Sequence, residues 1–259
     1  MPLNIPPELV KLKALYEERE VKGFNVLLMG DPKTGKTCFA ATAPGPVLLD
    51  MFDPGEVPAF ATERMKQDQI FIDQSYQQDP AKLPKAFRLW ERTFQERVNA
   101  KVFDSVGTYV IDSLTMMSQS LINEMLAHSK NREPGALTMS EWGVFGRTIH
   151  DYMRLVCNLP CHTIVTCHFE YDKDDVTSKI LAALAVPTKL GKNTGILFDE
   201  VYVMQPQEGP KGPTYKVLTR PMGYLRAGSR LGGNKLETYE ESDFKHILKK
   251  CGYPYEDKK

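Results

Sequence analysis

The chain has no net charge, no even set of cysteines, no apolar run of membrane length and no low-complexity block. Its 33 lysines and arginines are balanced by 33 aspartates and glutamates over 259 residues. That balance excludes a strongly basic nucleic-acid binder by composition and leaves only a local patch for such a role. Five cysteines, an odd number in irregular positions, speak against a disulfide framework and for a reducing compartment. The opening Met1-Pro2-Leu3-Asn4-Ile5-Pro6-Pro7 lacks the basic-then-apolar order of a secretory leader. No apolar run approaches the ~20 residues of a membrane span, so a soluble, cytoplasmic protein is expected. With no Gly/Ser linker and no internal repeat, the length predicts one large α/β domain with terminal additions. The expected division is a helical extension over 1–21, a core over 22–231, and a C-terminal helix and tail over 232–259.

What the chain does have is Gly30-Asp31-Pro32-Lys33-Thr34-Gly35-Lys36-Thr37, a match to G-x-x-x-x-G-K-[ST]. Phe24 to Met29 reads as a buried strand entering this loop, and Cys38 to Ala43 continues as a helix behind it. Gly30 and Gly35 let the backbone curl so that N–H groups and a helix N-terminus face negative charge. Lys36 is expected on the β- and γ-phosphates of a nucleotide and Thr37 on Mg²⁺. Asp31 and Pro32 shape the loop, Lys33 and Thr34 lie near the phosphates, and Cys38 closes the set.

A second strand, Val47 to Phe52, is followed by Asp53, Glu56 and Glu63, and Ile70-Phe71-Ile72 reads as a third. Leu83, Phe87, Trp90, Phe94 and Val98 fall at helical spacing, with Trp90 and Phe94 read as core. Val106 to Ser113 is an apolar strand ending in Asp112, which is expected to hold the Mg²⁺ hydration shell from a strand adjacent to the phosphate loop. Ser113 caps the next helix over Leu114, Met117, Leu121 and Met125. Phe145, Ile149, Tyr152, Met153 and Val156 mark another helix, and His162 to His168 the next core strand. The Cys157, Cys161, His162, Cys167, His168 group lacks zinc-knuckle spacing and reads as buried thiols. His168, at a strand's carboxyl end, is either a γ-phosphate sensor or an ordinary strand-end histidine. Residues 169–194 read as a long binding loop, and Phe198–Met204 pairs with Thr214–Arg220 as a hairpin. Ser242 is read as the cap of a last helix that Gly252 ends, and residues 7–20 as an amphipathic helix that packs on its own domain or docks on a neighbour, the first being favoured.

In the order phosphate loop, Asp112-Ser113, Cys167-His168, Phe198-Asp199-Glu200-Val201 and hairpin, the chain resembles RecA-like P-loop ATPases over residues 22–231. The likeness is to a phage-encoded group of RecA-like or AAA-type ATP-binding proteins, some of them single-strand annealing recombinases. The resemblance implies an α/β fold, a mostly parallel sheet flanked by helices with an antiparallel edge hairpin. It also implies Mg·ATP hydrolysis, a homo-oligomeric ring or filament, single-stranded DNA held near 128–141 and 169–194, and phage recombination or replication proteins as partners. His168 takes the sensor position. Ala227-Gly228-Ser229-Arg230 resembles the segment whose basic residue reaches a neighbour's nucleotide, making Arg230 the trans-acting candidate and Arg220 the second. Where such enzymes place a catalytic Glu after the second strand, this chain offers Asp50, Asp53 and, further on, Glu56. Two rivals stand beside this reading: a nucleotide-gated loader or scaffold, and a nucleotide kinase, for which no Arg-rich lid is visible.

Overall fold

The computed structural model describes residues 5–17, 23–56, 59–80, 82–129, 136–173, 180–187, 194–210, 212–231 and 235–258. Its frame is a nine-stranded sheet. The strands are β1 (Asn25–Met29), β2 (Val47–Met51), β3 (Ile70–Asp73), β4 (Thr108–Asp112), β5 (His162–Cys167), β8 (Glu200–Gln207), β9 (Thr214–Leu218), β10 (Gly228–Ser229) and β11 (Tyr239–Glu241). The order is β11-β9-β8-β1-β5-β4-β2-β3, with β10 paired beside β8. From β8 to β3 every pairing is parallel, and β9, β10 and β11 join antiparallel.

Strands buried on both faces carry near-continuous apolar runs, and alternation sends successive side chains to opposite layers. In β1, Leu27 and Met29 enter one core, while Val26 and Leu28 enter the other. The first core is covered by α4 (Ala86–Asn99), α6 (Leu114–His128) and α7 (Met139–Val156), through Phe87, Trp90, Leu114, Met117, Phe145 and Ile149. The second is covered by α2 (Lys36–Ala40), α3 (Ala59–Lys66) and the terminal helix α8 (Phe244–Cys251), through Phe39, Ala61, Phe244, Ile247 and Leu248. A one-turn α5 (Val102–Ser105) joins α4 to β4. The expected α/β architecture with an antiparallel pair toward one edge is therefore the observed one, with β11 as a further strand outside it.

Several expectations are corrected. β4 is not adjacent to β1, because β5 lies between them and pairs with both. The segment after His168 is not all loop: β6 (Phe169–Lys173) and β7 (Ile180–Leu184) form an antiparallel ribbon of their own. Lys179, Lys189 and Lys192, with Asp174, Asp175 and residues 130–135, lie outside the described residues. The first helix, α1 (Pro7–Glu17), does not pack on the domain through Leu9, Val10 and Leu12, which are 53–56% exposed. Leu83 is exposed as well, so only the middle of its apolar series faces the core. The last helix is capped by Asp243, whose side chain accepts from the His246 N–H, rather than by Ser242. Gly252 ends it at φ 80°, a left-handed conformation that favours glycine.

Candidate functional site

The parallel strands deliver their carboxyl ends to one rim of the sheet, the place where ligands bind in open α/β folds. β1 runs into the loop Gly30–Gly35 and α2 begins at Lys36. Gly35 is the N-cap of α2 at φ 87°, which an L side chain rarely adopts. A Cβ on Gly30 would stand 2.7 Å from Thr34 Oγ1 and 3.2 Å from the Met204 carbonyl. Thr34 Oγ1 donates to the Asp31 carbonyl at 2.8 Å, closing the turn. Asp31, Pro32 and Lys33 are exposed at its tip.

Lys36 is 6% exposed, and its Nζ donates to the carbonyls of Gly30 and Asp31 at 2.9 Å each. Burial pulls its pKa down, against the opposing pull of Asp112 and Asp53. Thr37 Oγ1 donates to Asp112 Oδ2 at 2.6 Å, and Thr166 Oγ1 donates to Asp112 Oδ1 at 2.5 Å. Burial raises the Asp112 pKa in spite of those two bonds. Beside them the Cys38 thiol is raised by burial and by Asp112, so it stays protonated at neutral pH.

The stretch after β2 supplies a second carboxylate. Asp53 Oδ1 accepts from Ser113 Oγ at 2.6 Å and Oδ2 contacts His168 Nε2 at 2.9 Å. Nδ1 of the same ring lies 3.3 Å from Lys36 Nζ. A tautomer with its proton on Nε2 satisfies both contacts, donating to Asp53 and accepting from the Lys36 ammonium. Burial would push the Asp53 carboxyl up, but the bonds from His168 and Ser113 and the charge of Lys36 outweigh it and hold it below the usual range. Asp53 is therefore ionised at neutral pH.

The other carboxylates are placed elsewhere. Asp50 is fully buried, with Oδ1 on Arg97 Nη1 at 2.7 Å and Oδ2 on Tyr109 Oη at 2.6 Å and Trp90 Nε1 at 3.1 Å. Glu56 is exposed and, among the described residues, makes no hydrogen bond to the loop. Arg230 bonds within its own chain: Nη1 lies 3.3 Å from Asp199 Oδ1 and Nη2 reaches the Ile196 carbonyl. Arg220 Nη2 donates to the Leu236 carbonyl at 2.7 Å. The five residues brought together are thus Lys36, Thr37, Asp53, Asp112 and His168, from the ends of four strands. Sequence patterning points neither to Thr166 nor to the bond Ser113 gives Asp53, nor to Thr115, whose Oγ1 accepts the His168 backbone N–H at 3.0 Å. Tyr171 Oη, on the ribbon, also donates to the Asp31 carboxylate at 3.0 Å.

The Thr37 hydroxyl and the Asp112 carboxylate are hard oxygen donors converging beside the loop, the donor set that suits Mg²⁺. Among the described residues, no group of three or more His, Cys, Asp or Glu could hold a metal. None of the five cysteines forms a disulfide, and His162 is spent on structure: Nδ1 accepts from the Phe24 N–H at 3.0 Å and Nε2 contacts the Pro254 carbonyl at 2.9 Å.

A glycine-turned loop, a buried lysine at the head of a helix and a Thr–Asp oxygen pair define a P-loop nucleotide-binding site. The chain belongs to the AAA domain family, which matches residues 22–231. It is thereby a P-loop ATPase domain. No curated protein matches the chain. Among solved structures it is similar to a KaiC-like protein from the hyperthermophilic archaeon Pyrococcus horikoshii OT3. The TM-score is 0.45 at 18% identity, covering 82% of this chain and 86% of that one. Among the described residues, no helix is long and apolar enough to cross a membrane.

Proposed function

We propose that the protein binds Mg·ATP and hydrolyses it slowly, with Asp53 as the carboxylate that orients the attacking water. The observation that carries this is the Asp53–His168–Lys36 chain at the mouth of the loop. Asp50 has no solvent access and Glu56, among the described residues, makes no hydrogen bond to the loop, whereas Asp53 is ionised and partly exposed. The loop N–H groups and Lys36 bind phosphate, and Thr37 and Asp112 hold Mg²⁺. The ion supplies charge neutralisation there. Asp53 then accepts hydrogen bonds from water, while His168 fixes the Asp53 carboxylate plane and lies against Lys36, where a γ-phosphate is sensed.

The biological reading is action on single-stranded DNA, in recombination or annealing within a phage-like replication setting, by a ring or filament of identical subunits. Its support is the resemblance of motif order, with the ribbon springing from the residue next to His168 as the candidate DNA element. The trans role of Arg230 asks that side chain to leave Asp199. At 56% exposure and 3.3 Å that pair is weakly held. The test is steady-state ATP hydrolysis with and without single-stranded DNA, using Lys36→Ala and Asp53→Asn as comparisons. DNA-stimulated turnover absent from both variants is expected. Turnover indifferent to DNA would remove the recombination role, and ATP binding without turnover would make the protein a nucleotide-gated loader or scaffold. Full turnover by Asp53→Asn would remove the assignment of Asp53.

A further inference from the structure

Asp53 and His168 lie on loops that leave two different strands, yet both are fastened to one turn of one helix. Ser113, fully buried at the N-cap of α6, gives its single hydroxyl proton to Asp53 Oδ1 at 2.6 Å and accepts from the Met116 N–H at 3.3 Å. Thr115, two residues on, accepts the backbone N–H of His168 at 3.0 Å, with Cys167 Sγ 3.3 Å from the same hydroxyl. The backbone closes the same junction, since the N–H groups of Phe52 and Asp53 both donate to the Asp112 carbonyl.

We infer that the first turn of α6 is the positioning element of the hydrolytic site, with Ser113 setting Asp53 and Thr115 setting His168. This rests on the reading of Asp53 and His168 given above. Helix capping alone accounts for what Ser113 accepts but not for the proton it donates, and it leaves Thr115 unexplained. A carboxylate held on one oxygen rotates about χ2. Held on different oxygens by Ser113 and His168, its plane is fixed. His168 is in turn held at both its ring and its backbone. A water oriented by Asp53 inherits that geometry, and a small misplacement costs rate rather than nucleotide affinity. Both residues are positioning residues: among the described residues the hydrogen bonds of their hydroxyls go to Asp53, Met116, His168 and Cys167, and none to the phosphate loop.

The experiment compares the full chain with Ser113→Ala, Thr115→Val, Thr115→Ser and Asp53→Asn in ATP hydrolysis, with ADP affinity and thermal stability measured alongside. Ser113→Ala removes the donor, Thr115→Val keeps the shape without the acceptor, and Thr115→Ser keeps the hydroxyl. The expected result is a fall in kcat of about tenfold in Ser113→Ala and Thr115→Val, the scale of one hydrogen bond to a charged or positioned group. KM and ADP affinity should stay within about twofold. Thr115→Ser should restore kcat even where its Tm does not return. Wild-type kcat in Ser113→Ala, with Asp53→Asn inactive, overturns the positioning role and leaves Asp53 standing. Loss of kcat together with ADP affinity, or Thr115→Ser as slow as Thr115→Val, also overturns it by making the effect one of folding or packing. Full activity in Asp53→Asn, or no turnover in the wild type, overturns this inference together with the reading on which it rests.

Discussion

Replacing Arg97 with methionine would leave the Asp50 carboxylate buried without its cation. In the native chain Arg97 Nη1 sits 2.7 Å from Asp50 Oδ1, and Nη2 sits 2.7 Å from Asp73 Oδ2. Asp50 is fully buried, whereas the Asp73 side chain is 21% exposed. Removing one partner of a buried pair costs about 3–5 kcal/mol, and the more exposed half contributes at most ~1 kcal/mol. Tyr109 and Trp90 still donate to Asp50 Oδ2, which places the loss near the lower end, at about 3 kcal/mol. Urea denaturation would then show a midpoint lower by about 1 M, taking a slope of roughly 3 kcal/mol/M. Burial already raises the Asp50 pKa, against the pull of Arg97 and Tyr109, and the variant raises it further. The folded carboxyl then takes up a proton more readily than the unfolded one, so the deficit shrinks as the pH falls. Adding Asp50→Asn should recover at least half of the loss. A loss under about 1 kcal/mol, or a deficit indifferent to both acid and Asp50→Asn, refutes the account of this network as a buried charge held by its partner.

His162, buried between the Phe24 N–H and the Pro254 carbonyl, is pulled from the ordinary 6.5 to about 4 by loss of solvent. The unfolded chain binds that proton more tightly, so its contribution is full above 6.5 and is lost as the pH falls toward 4. The full swing is roughly 3 kcal/mol. His162→Gln should flatten the acid limb of a stability–pH curve; an unchanged limb rejects this assignment. A Cβ at Gly23 would lie 1.7 Å from the Cys161 carbonyl, so Gly23→Ala forces β1 away from β5. A loss above ~2 kcal/mol is expected in the same denaturation assay, and a neutral variant contradicts the close approach.

The parts of the site written within a few residues of one another were legible in the sequence. The phosphate loop is a local pattern whose spacing states its own geometry, and Asp112 follows from an apolar run meeting a single acid. The choice among Asp50, Asp53 and Glu56 was not legible, because it depends on Arg97, Tyr109 and Trp90, which reach Asp50 from other elements. Strand order is equally silent in a linear chain: nothing near Val106–Asp112 announces that β5 will insert beside β1. The ribbon was hidden for a different reason. Phe169 and Tyr171 alternate as a strand should, but the charges among and after them read as a solvated loop. In α1 the apolar series is visible in the sequence, but periodicity names a face without naming what covers it.

The terminal helix carries a practical lesson about boundaries. The family match stops at residue 231, yet Phe244, Ile247, Leu248 and Cys251 lie beyond it and roof the second core over Phe24 and Phe39. Past them Asp257 accepts from the Gly45 N–H, and Lys258 reaches the carbonyls of Gly45 and Asp104. A chain cut where the likeness ends would open the layer under the phosphate-loop helix and expose its aromatic floor to water. The stretch that the family match covers is shorter here than the stretch that packs together, and a recombinant fragment drawn to the former would be expected to aggregate.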